Sequence, residues 1–455
     1  MQNFDVIVVG GGPAGYNSAE YAAHQGKKVL LVEKKSLGGT CLNVGCIPTK
    51  TFLYAGKMYH YASGAGEAYG VTAEGPVHVD QAAVVAKKDE VVKMLVQGVG
   101  SALRRSKVKV VNGTAKLGRA DGKLAVFVGD ETYTAENLIL ATGSTPAVPP
   151  IEGVKEGMAD GTVMTSDEIL DMKEIPKKLL VVGGGVIGFE MAAYFQEVGA
   201  KVTVIEMLDK VLGGNDREVS ELLQKELEKK GVTFHLSSGV KKLAGGVVTY
   251  EKDGRLQLAA YDKALMCVGR RANSQIEGLG ELGVQTERGA IVTDEHMQTS
   301  VPHVYAIGDV NGKVMLAHVG YREGEVAVNH ILGEDDTMSY DAISGVVYTS
   351  PEAAFVGLSE EQAKASGRNY EVKKVSINFS GRHVAENGLS NGICKLIVDK
   401  NKETLIGAAL MSSYASEYIY ALALMIDLQL PLRQVRRTIF PHPTVCEIIR
   451  EALMN

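Results

Sequence analysis

The stretch "DVIVVGGGPAGYNSAEYAAHQGKKVLLVE", Asp5 to Glu33, decides the fold. It opens on an apolar β-branched run, passes through glycines, continues Ala-rich and closes on a second apolar run. That order reads as strand, tight turn, helix and strand, a βαβ unit with a dinucleotide fingerprint. The pattern returns without a gap as "KLLVVGGGVIGFEMAAYFQEVGAKVTVIE", Lys178 to Glu206. Gly10 and Gly183 permit the turn, and Gly12 and Gly185 leave room for a pyrophosphate at the positive end of the helix. Gly15 and Gly188 let helix and strand pack closely. Glu33 and Glu206 follow the first glycine of their units at one distance, since 33 − 10 and 206 − 183 both give 23. Each is placed to accept hydrogen bonds from ribose hydroxyls. One such fingerprint is weak evidence; two, each with strand, helix and acid, predict two dinucleotide sites.

The 455 residues around these units are too many for one hydrophobic core, so several domains are expected. Charged residues at 22% and hydrophobic ones at 45% are ordinary for a globular protein. A net charge of −6 with no basic patch argues against a nucleic-acid partner. The N-terminus runs straight into the first strand without a basic leader, and "YALALMIDLQL" is too short to span a bilayer and carries Asp427. A cytoplasmic location with no membrane partner is therefore expected. Five cysteines, an odd number, speak against a structural disulfide framework.

The fold class expected is α/β, two Rossmann-like dinucleotide-binding domains plus a C-terminal α+β domain, a dimerisation domain by family resemblance alone. Residues 1–150 are expected to form the first part of an FAD-binding domain, 151–270 an NAD-binding domain, 271–338 the second part of the FAD-binding or central domain, and 339–455 the C-terminal domain that the resemblance makes an interface. Gly113 to Glu136 reads as a hairpin insertion before a strand at "NLILATGS", and "HVYAIGDVNG" as a strand ending in Gly-Asp. "KLIVDKNKETLIGAALMS" reads as a hairpin turning at Lys400–Lys402, followed by an apolar helix.

Eight residues after Glu33, "GGTCLNVGCIPTK" places Cys41 and Cys46 in a loop at the ligand-binding edge of the first sheet. Zinc would need two further ligands at suitable spacing, and Cys267 and Cys394 stand singly in apolar strands, read as core residues. Two thiols beside a dinucleotide favour redox chemistry. A flavin exchanges electrons with sulfur, whereas a nicotinamide alone is a poor direct partner for a disulfide. FAD is therefore assigned to the first unit and the nicotinamide to the second. Pro48 suits a helix's first turn, which makes Cys46 the more stabilised thiolate, with Lys50 one turn on adding positive charge. No arginine follows Glu206 in "MLDK", so NAD is expected over NADP.

These motifs, with "ATGS", "YAIGDV" and "HPTVCE" in this order, resemble the pyridine nucleotide–disulfide oxidoreductases over essentially the whole chain, and most of all the members that oxidise dihydrolipoyl groups. The resemblance implies a reversible Cys41–Cys46 disulfide against the flavin, with Cys46 next to the ring and Cys41 exchanging with substrate. It implies FAD contacts at Thr142, Gly143 and Ser144, with Asp309 holding the ribityl chain, and adds Pro13, Ala14, Lys50, Gly113 and Ala317. On the NAD side it adds Val186, Ile187, Glu190, Val240 and Gly269.

Thiol–disulfide exchange needs a base, and imidazole, with a pKa near 6.5, is suited to it. His442 resembles the family's base and Glu447 its orienting acid; Thr444-x-x-Glu447 also reads as a capping box for the last helix. The resemblance further implies a homodimer in which this histidine crosses the interface. It implies a partner bearing the lipoyl group, from a 2-oxo acid dehydrogenase complex or the glycine cleavage system. Two departures stand out. Phe440 occupies the place of a frequent second histidine, and Cys446 that of a common serine, as an isosteric replacement. Rival readings are a reductase of another small disulfide and, from a different class, a non-catalytic flavin-binding assembly subunit. Arginines for NADP are missing at the second unit, and the C-terminal "EALMN" lacks the cysteine pair of a mercuric reductase.

Overall fold

The computed structural model describes residues 2–454. Its first sheet is parallel in the order Lys109–Asn112, Val29–Glu33, Gln2–Val9, Glu131–Leu140, Val304–Ala306. These strands are runs of Val, Ile and Leu because both faces are covered, and Val6, Ile7, Val8, Leu30 and Leu31 are all buried. The first dinucleotide helix, Pro13–His24, packs against the late helix Ala317–Leu332, which returns to this domain after the chain has built the second one.

The second sheet repeats the arrangement. Thr233–His235, Lys201–Ile205, Lys178–Val182, Lys263–Met266 and Val163–Met164 pair in parallel in that order, with the second dinucleotide helix at Val186–Glu197. The duplication runs deeper than the two matching stretches suggested. Three antiparallel strands precede the fourth parallel strand in this domain, Ser238–Ala244, Val247–Lys252 and Arg255–Ala260. Their counterparts are Lys116–Ala120, Lys123–Val128 and the start of Glu131–Leu140.

That last strand corrects the expected hairpin and separate strand. Glu131–Leu140 is continuous: its first half pairs antiparallel with Lys123–Val128 and its second half parallel with Val304–Ala306, while Gln2–Val9 runs along its other edge. Gln2–Val9 pairs with it in one register from Tyr133 to Leu140, so the strand continues where the partner on its other edge changes. The C-terminal sheet is antiparallel, Ser344–Val347, Glu352–Gly357, Thr404–Ser412, Ile393–Asp399, Tyr370–Ser376, with the turn between Asp399 and Thr404. Helices Ala415–Asp427 and Ile448–Met454 cover it. Cys394 is buried in one of its strands, whereas Cys267 follows the end of Lys263–Met266 instead of lying within it.

The three parts share one apolar cluster. Phe52 of helix Cys46–Ala62 lies with its ring centroid 4.9 Å from that of Tyr194 on the second dinucleotide helix, and Val347, Phe355 and Met411 of the C-terminal sheet join the same core. This seam fixes the two dinucleotide units relative to the cysteines. Among the described residues, no helix is long and apolar enough to cross a membrane.

Candidate active site

The cysteine segment is more ordered than a loop. Cys41 lies on a short helix, Gly39–Val44, and Cys46 is the first residue of the helix Cys46–Ala62, with Pro48 in its opening turn. Gly39 has φ +53°, and a Cβ there would stand 2.6 Å from Gly12 Cα, so only glycine lets this segment lie on the first dinucleotide turn. The Gly38 N–H donates to the Gly11 carbonyl at 2.8 Å, and Asn43 Nδ2 donates to the carbonyls of Leu37 and Gly39 at 3.0 and 2.8 Å. The fingerprint glycines and the thiols are thus one packed unit.

Both thiols are free. A hydrogen bond from Cys41 lowers the Cys46 pKa to about 7, with Lys50 helping and burial opposing. The same hydrogen bond, together with burial, holds the Cys41 thiol far above its ordinary range. The pair is therefore electrostatically asymmetric, with Cys46 the thiolate.

Lys50 and Glu190, assigned from sequence to different cofactors, are partners. Nζ of Lys50 lies 2.9 Å from Oε2 of Glu190, whose side chain is only 5% exposed. Tyr348 completes the group: its N–H donates to Glu190 Oε1 at 2.9 Å, and Lys50 Nζ sits 4.1 Å from its ring centroid. Tyr348 comes from the strand connection of the C-terminal sheet, which carries no dinucleotide signature, so no motif pointed to it.

The two nucleotide cradles repeat the same contacts. Glu33 accepts from the N–H groups of Gly11 at 2.6 Å and Lys35 at 2.7 Å; Glu206 accepts from Gly184 at 2.5 Å and Leu208 at 2.8 Å. Two backbone donors pin each carboxylate and leave lone pairs on both oxygens for a ribose diol. A Cβ on Gly15 or Gly188 would lie 1.8 or 2.2 Å from the carbonyl oxygen of the turn glycine. At Gly12 the nearest foreign atom would be 3.8 Å away, and at Gly185 nothing lies within 4 Å. Both helices start without a side-chain cap, so their first N–H groups are not used internally by a cap. The sites thus fit two pyrophosphates. Pro13 and Ala14 open the first helix, and Val186 and Ile187, partly exposed, open the second.

The remaining positions fall on the rims of these cradles. Gly113 donates its N–H to the Glu33 carbonyl at 2.8 Å. Val240 is two residues beyond Ser238, whose N–H bonds the Glu206 carbonyl at 2.9 Å, and Gly269 leads out of the second sheet. Thr142 Oγ1 donates to the Asn273 carbonyl at 2.8 Å, and Asn273 N–H donates to the Gly143 carbonyl at 2.9 Å. Ser144 Oγ donates to Asp309, which lies on the 3-10 turn Gly308–Asn311, and Ala317 begins the following helix. Arg270 joins this group through Ser144. Neither Arg270 nor Asn273 was marked by sequence; both return from the second domain, and only the pairing of the two chain crossings brings them here.

His442 Nδ1 lies 3.1 Å from Oε2 of Glu447, whose side chain is 17% exposed, while the imidazole is 78% exposed. The capping box expected at Thr444 and Glu447 is only half formed. Glu447 accepts from the Thr444 N–H at 3.0 Å, but the Thr444 hydroxyl donates to the Pro441 carbonyl at 2.7 Å, and the helix begins later, at Ile448. The carboxylate braces the His442 loop instead of capping the helix. Cys446 Sγ sits 3.2 Å from Thr444 Oγ1. Among the described residues His442 hydrogen-bonds Glu447 alone, and the nearby Ile439 is 93% exposed.

Residues 4–324 match the family model described as "Pyridine nucleotide-disulphide oxidoreductase", and residues 343–453 match its dimerisation domain. The chain is 36% identical to a dihydrolipoyl dehydrogenase of Mycoplasma genitalium, covering 99% of this chain and 97% of that one. It is 39% identical to a dihydrolipoyl dehydrogenase of Geobacillus stearothermophilus, over 98% and 95%. Among solved structures it is similar to the HOCl-induced flavoprotein disulfide reductase RclA of Escherichia coli, with a TM-score of 0.85, 28% identity and 99% of both chains covered. A dithiol seated on the first of two nucleotide cradles and matched along nearly its whole length in this way leaves one conclusion: the chain belongs to the pyridine nucleotide-disulphide oxidoreductase family.

Proposed function

We propose that this flavoprotein oxidises protein-bound dihydrolipoyl groups with NAD through the Cys41–Cys46 pair. The observation that carries the reading is the seating of Cys41 and Cys46 on the first nucleotide turn, where Gly39 lies against Gly12 and Cys46 opens a helix; there the hydrogen bond from Cys41 lowers the Cys46 pKa to about 7 while Cys41 holds its proton. In the oxidised pair the better leaving group is the sulfur with the lower thiol pKa. Attack therefore falls on Cys41, and Cys46 departs as thiolate.

His442 takes the proton from one substrate thiol, and that sulfur bonds to Cys41 Sγ as the Cys41–Cys46 bond breaks. The second substrate sulfur then attacks the first, closing the lipoyl disulfide, and its proton passes to Cys41 Sγ, which leaves as a thiol. Two electrons have passed from substrate to the cysteine pair, with one of the two substrate protons on Cys41, the other on His442, and Cys46 left as the thiolate. Gly12, Glu33, Thr142, Gly143 and Asp309 would hold FAD, which when bound would supply two-electron chemistry between the reduced cysteine pair and NAD at the second cradle. Glu190, paired with Lys50, keeps a compensated charge where the two sites meet.

Glu447 fixes the imidazole through Nδ1, leaving Nε2 for the proton. The exposure of His442 and Ile439 supports a composite site in which, across a homodimer, the partner subunit's His442 serves Cys41. Glu206 at the second ribose position repels a 2′-phosphate and supports NAD.

The similarity to the disulfide reductase RclA supports a second reading, NADH-dependent reduction of another small disulfide. Measuring NADH formation with free dihydrolipoamide against other dithiols separates them. A kcat/KM for dihydrolipoamide no better than for dithiothreitol would overturn the first reading.

A further inference from the structure

The chain crosses between its two dinucleotide domains twice, and the crossings run side by side. Ser144–Pro146 goes out and Arg270–Ala272 comes back, paired antiparallel with Arg270 opposite Pro146 and Ala272 opposite Ser144. From the return crossing the Arg270 side chain, 13% exposed, reaches back over the outgoing one. Its Nε donates to Ser144 Oγ at 2.7 Å, and a terminal nitrogen donates to the Ser144 carbonyl at 2.9 Å. The same nitrogen lies 3.5 Å from Oγ1 of Thr40, the residue before Cys41.

The direction of these bonds is forced. A guanidinium carries five donors and no acceptor, so Ser144 Oγ must accept from it. The hydroxyl's single proton is then free for one acceptor only, and it goes to Asp309. Arg270 Nε itself stands 3.9 Å from that carboxylate, too far to bond it directly. A lysine could supply the charge, but not the two-point grip on Ser144 that a planar fork provides.

We propose that Arg270 is a positioning residue that, through Ser144, sets Asp309 for the flavin and ties the crossing from the NAD domain to the dithiol segment. The inference rests on the reading of Asp309 as a flavin contact. It gives the returning crossing a task beyond connection: the residue that leaves the nicotinamide domain orients the acid of the flavin domain.

The test is titration of the full-chain apoprotein with FAD, followed by flavin fluorescence, with circular dichroism showing that each variant is folded. Arg270→Met should raise the FAD dissociation constant about 10- to 100-fold, the range for a hydrogen bond to a charged group. Arg270→Lys should fall between it and the parent. Asp309→Asn should weaken FAD on its own, and Arg270→Met added to Asp309→Asn should weaken it by less than about twofold more, since the arginine acts through the acid. If Arg270→Met fails to fold, Ser144→Ala breaks the same relay and should show the same loss. Parent-like FAD affinity in Arg270→Met, with Asp309→Asn weakened, overturns this inference and leaves the site intact. An arginine effect undiminished by Asp309→Asn also overturns it. Parent-like affinity in Asp309→Asn instead overturns the assignment of Asp309, and the inference with it.

Discussion

Replacing Cys41 by alanine tests what makes Cys46 a thiolate. The hydrogen bond from Cys41 is the largest influence lowering the Cys46 pKa to about 7, ahead of the positive charge of Lys50, and burial works against both. Without Cys41, Lys50 and burial oppose each other, and the pKa returns toward the ordinary value for a free thiol, about 8.5. At pH 7 the thiolate fraction then falls from about one half to about 3%, roughly 15-fold. A more basic thiolate is also more nucleophilic, with a Brønsted slope of about 0.4–0.5, which returns about fivefold. The net alkylation rate at pH 7 therefore drops only about threefold. The decisive readout is accordingly the inflection of the pH–rate profile, not a single rate. The assay is iodoacetamide alkylation of the reduced holoenzyme between pH 5 and 10, with the Cys46 peptide quantified by mass spectrometry. Cys394, buried in its strand with its thiol pKa pushed up, serves as an internal unreactive control. The inflection should move up by about one to one and a half pH units. An inflection that stays near 7 in Cys41→Ala would show that Lys50 or the helix start governs Cys46, and the asymmetry argument for attack at Cys41 would fail.

Other outcomes follow from the same geometry. His442→Gln should lower dihydrolipoamide turnover about 10²- to 10⁴-fold, and Glu447→Gln should lower it less, while Cys46 alkylation stays as in the parent; equal turnover in His442→Gln would remove the base from the scheme. NAD should exceed NADP as acceptor, and Glu206→Ala should narrow the ratio; a parent enzyme preferring NADP contradicts the reading of Glu206. Cys446→Ser should leave turnover nearly unchanged, since its Sγ only meets Thr444 Oγ1 at 3.2 Å, and a large loss would give that thiol a part in the chemistry. Lys395, 3% exposed, is held by Asp216 at 3.0 Å, Glu218 at 3.2 Å and Glu360 at 2.5 Å across the boundary of the second and C-terminal domains. Lys395→Met leaves the buried Asp216 unpaired and should destabilise the chain by about 3–5 kcal/mol in urea unfolding; a change below about 1 kcal/mol would show that the carboxylates find other partners.

The parts that could be read along the chain are those whose physics is local. Strand, turn glycines, helix and acid follow one another within 29 residues, so both cradles and the seating of Cys41 and Cys46 beside the first were legible from spacing. Cys46 at a helix start was also local, because Pro48 two residues on marks the first turn. The short helix under Cys41 was not, because Gly38 and Gly39 are poor helix signals and the segment is held by the Gly11 carbonyl and by contact with Gly12.

Everything that joins distant segments waited for the tertiary structure. Lys50 and Glu190 are 140 residues apart, and each is an unremarkable charge on its own helix until packing of Phe52 on Tyr194 brings the helices together. Tyr348, Asn273 and Arg270 carry no motif, since a hydrogen bond across 126 residues leaves no period in the sequence. Glu447 illustrates the boundary: its spacing from Thr444 was equally good for capping a helix and for holding a histidine, and only the hydroxyl's turn toward Pro441 decided for the histidine. Sequence by itself determined the two glycine turns with their acids and the placement of the cysteine pair beside the first, because backbone sterics and side-chain periodicity act over a few residues. The tertiary structure decided how their charges are paired, because the Coulomb and hydrogen-bond partners of a buried group are set by proximity in space.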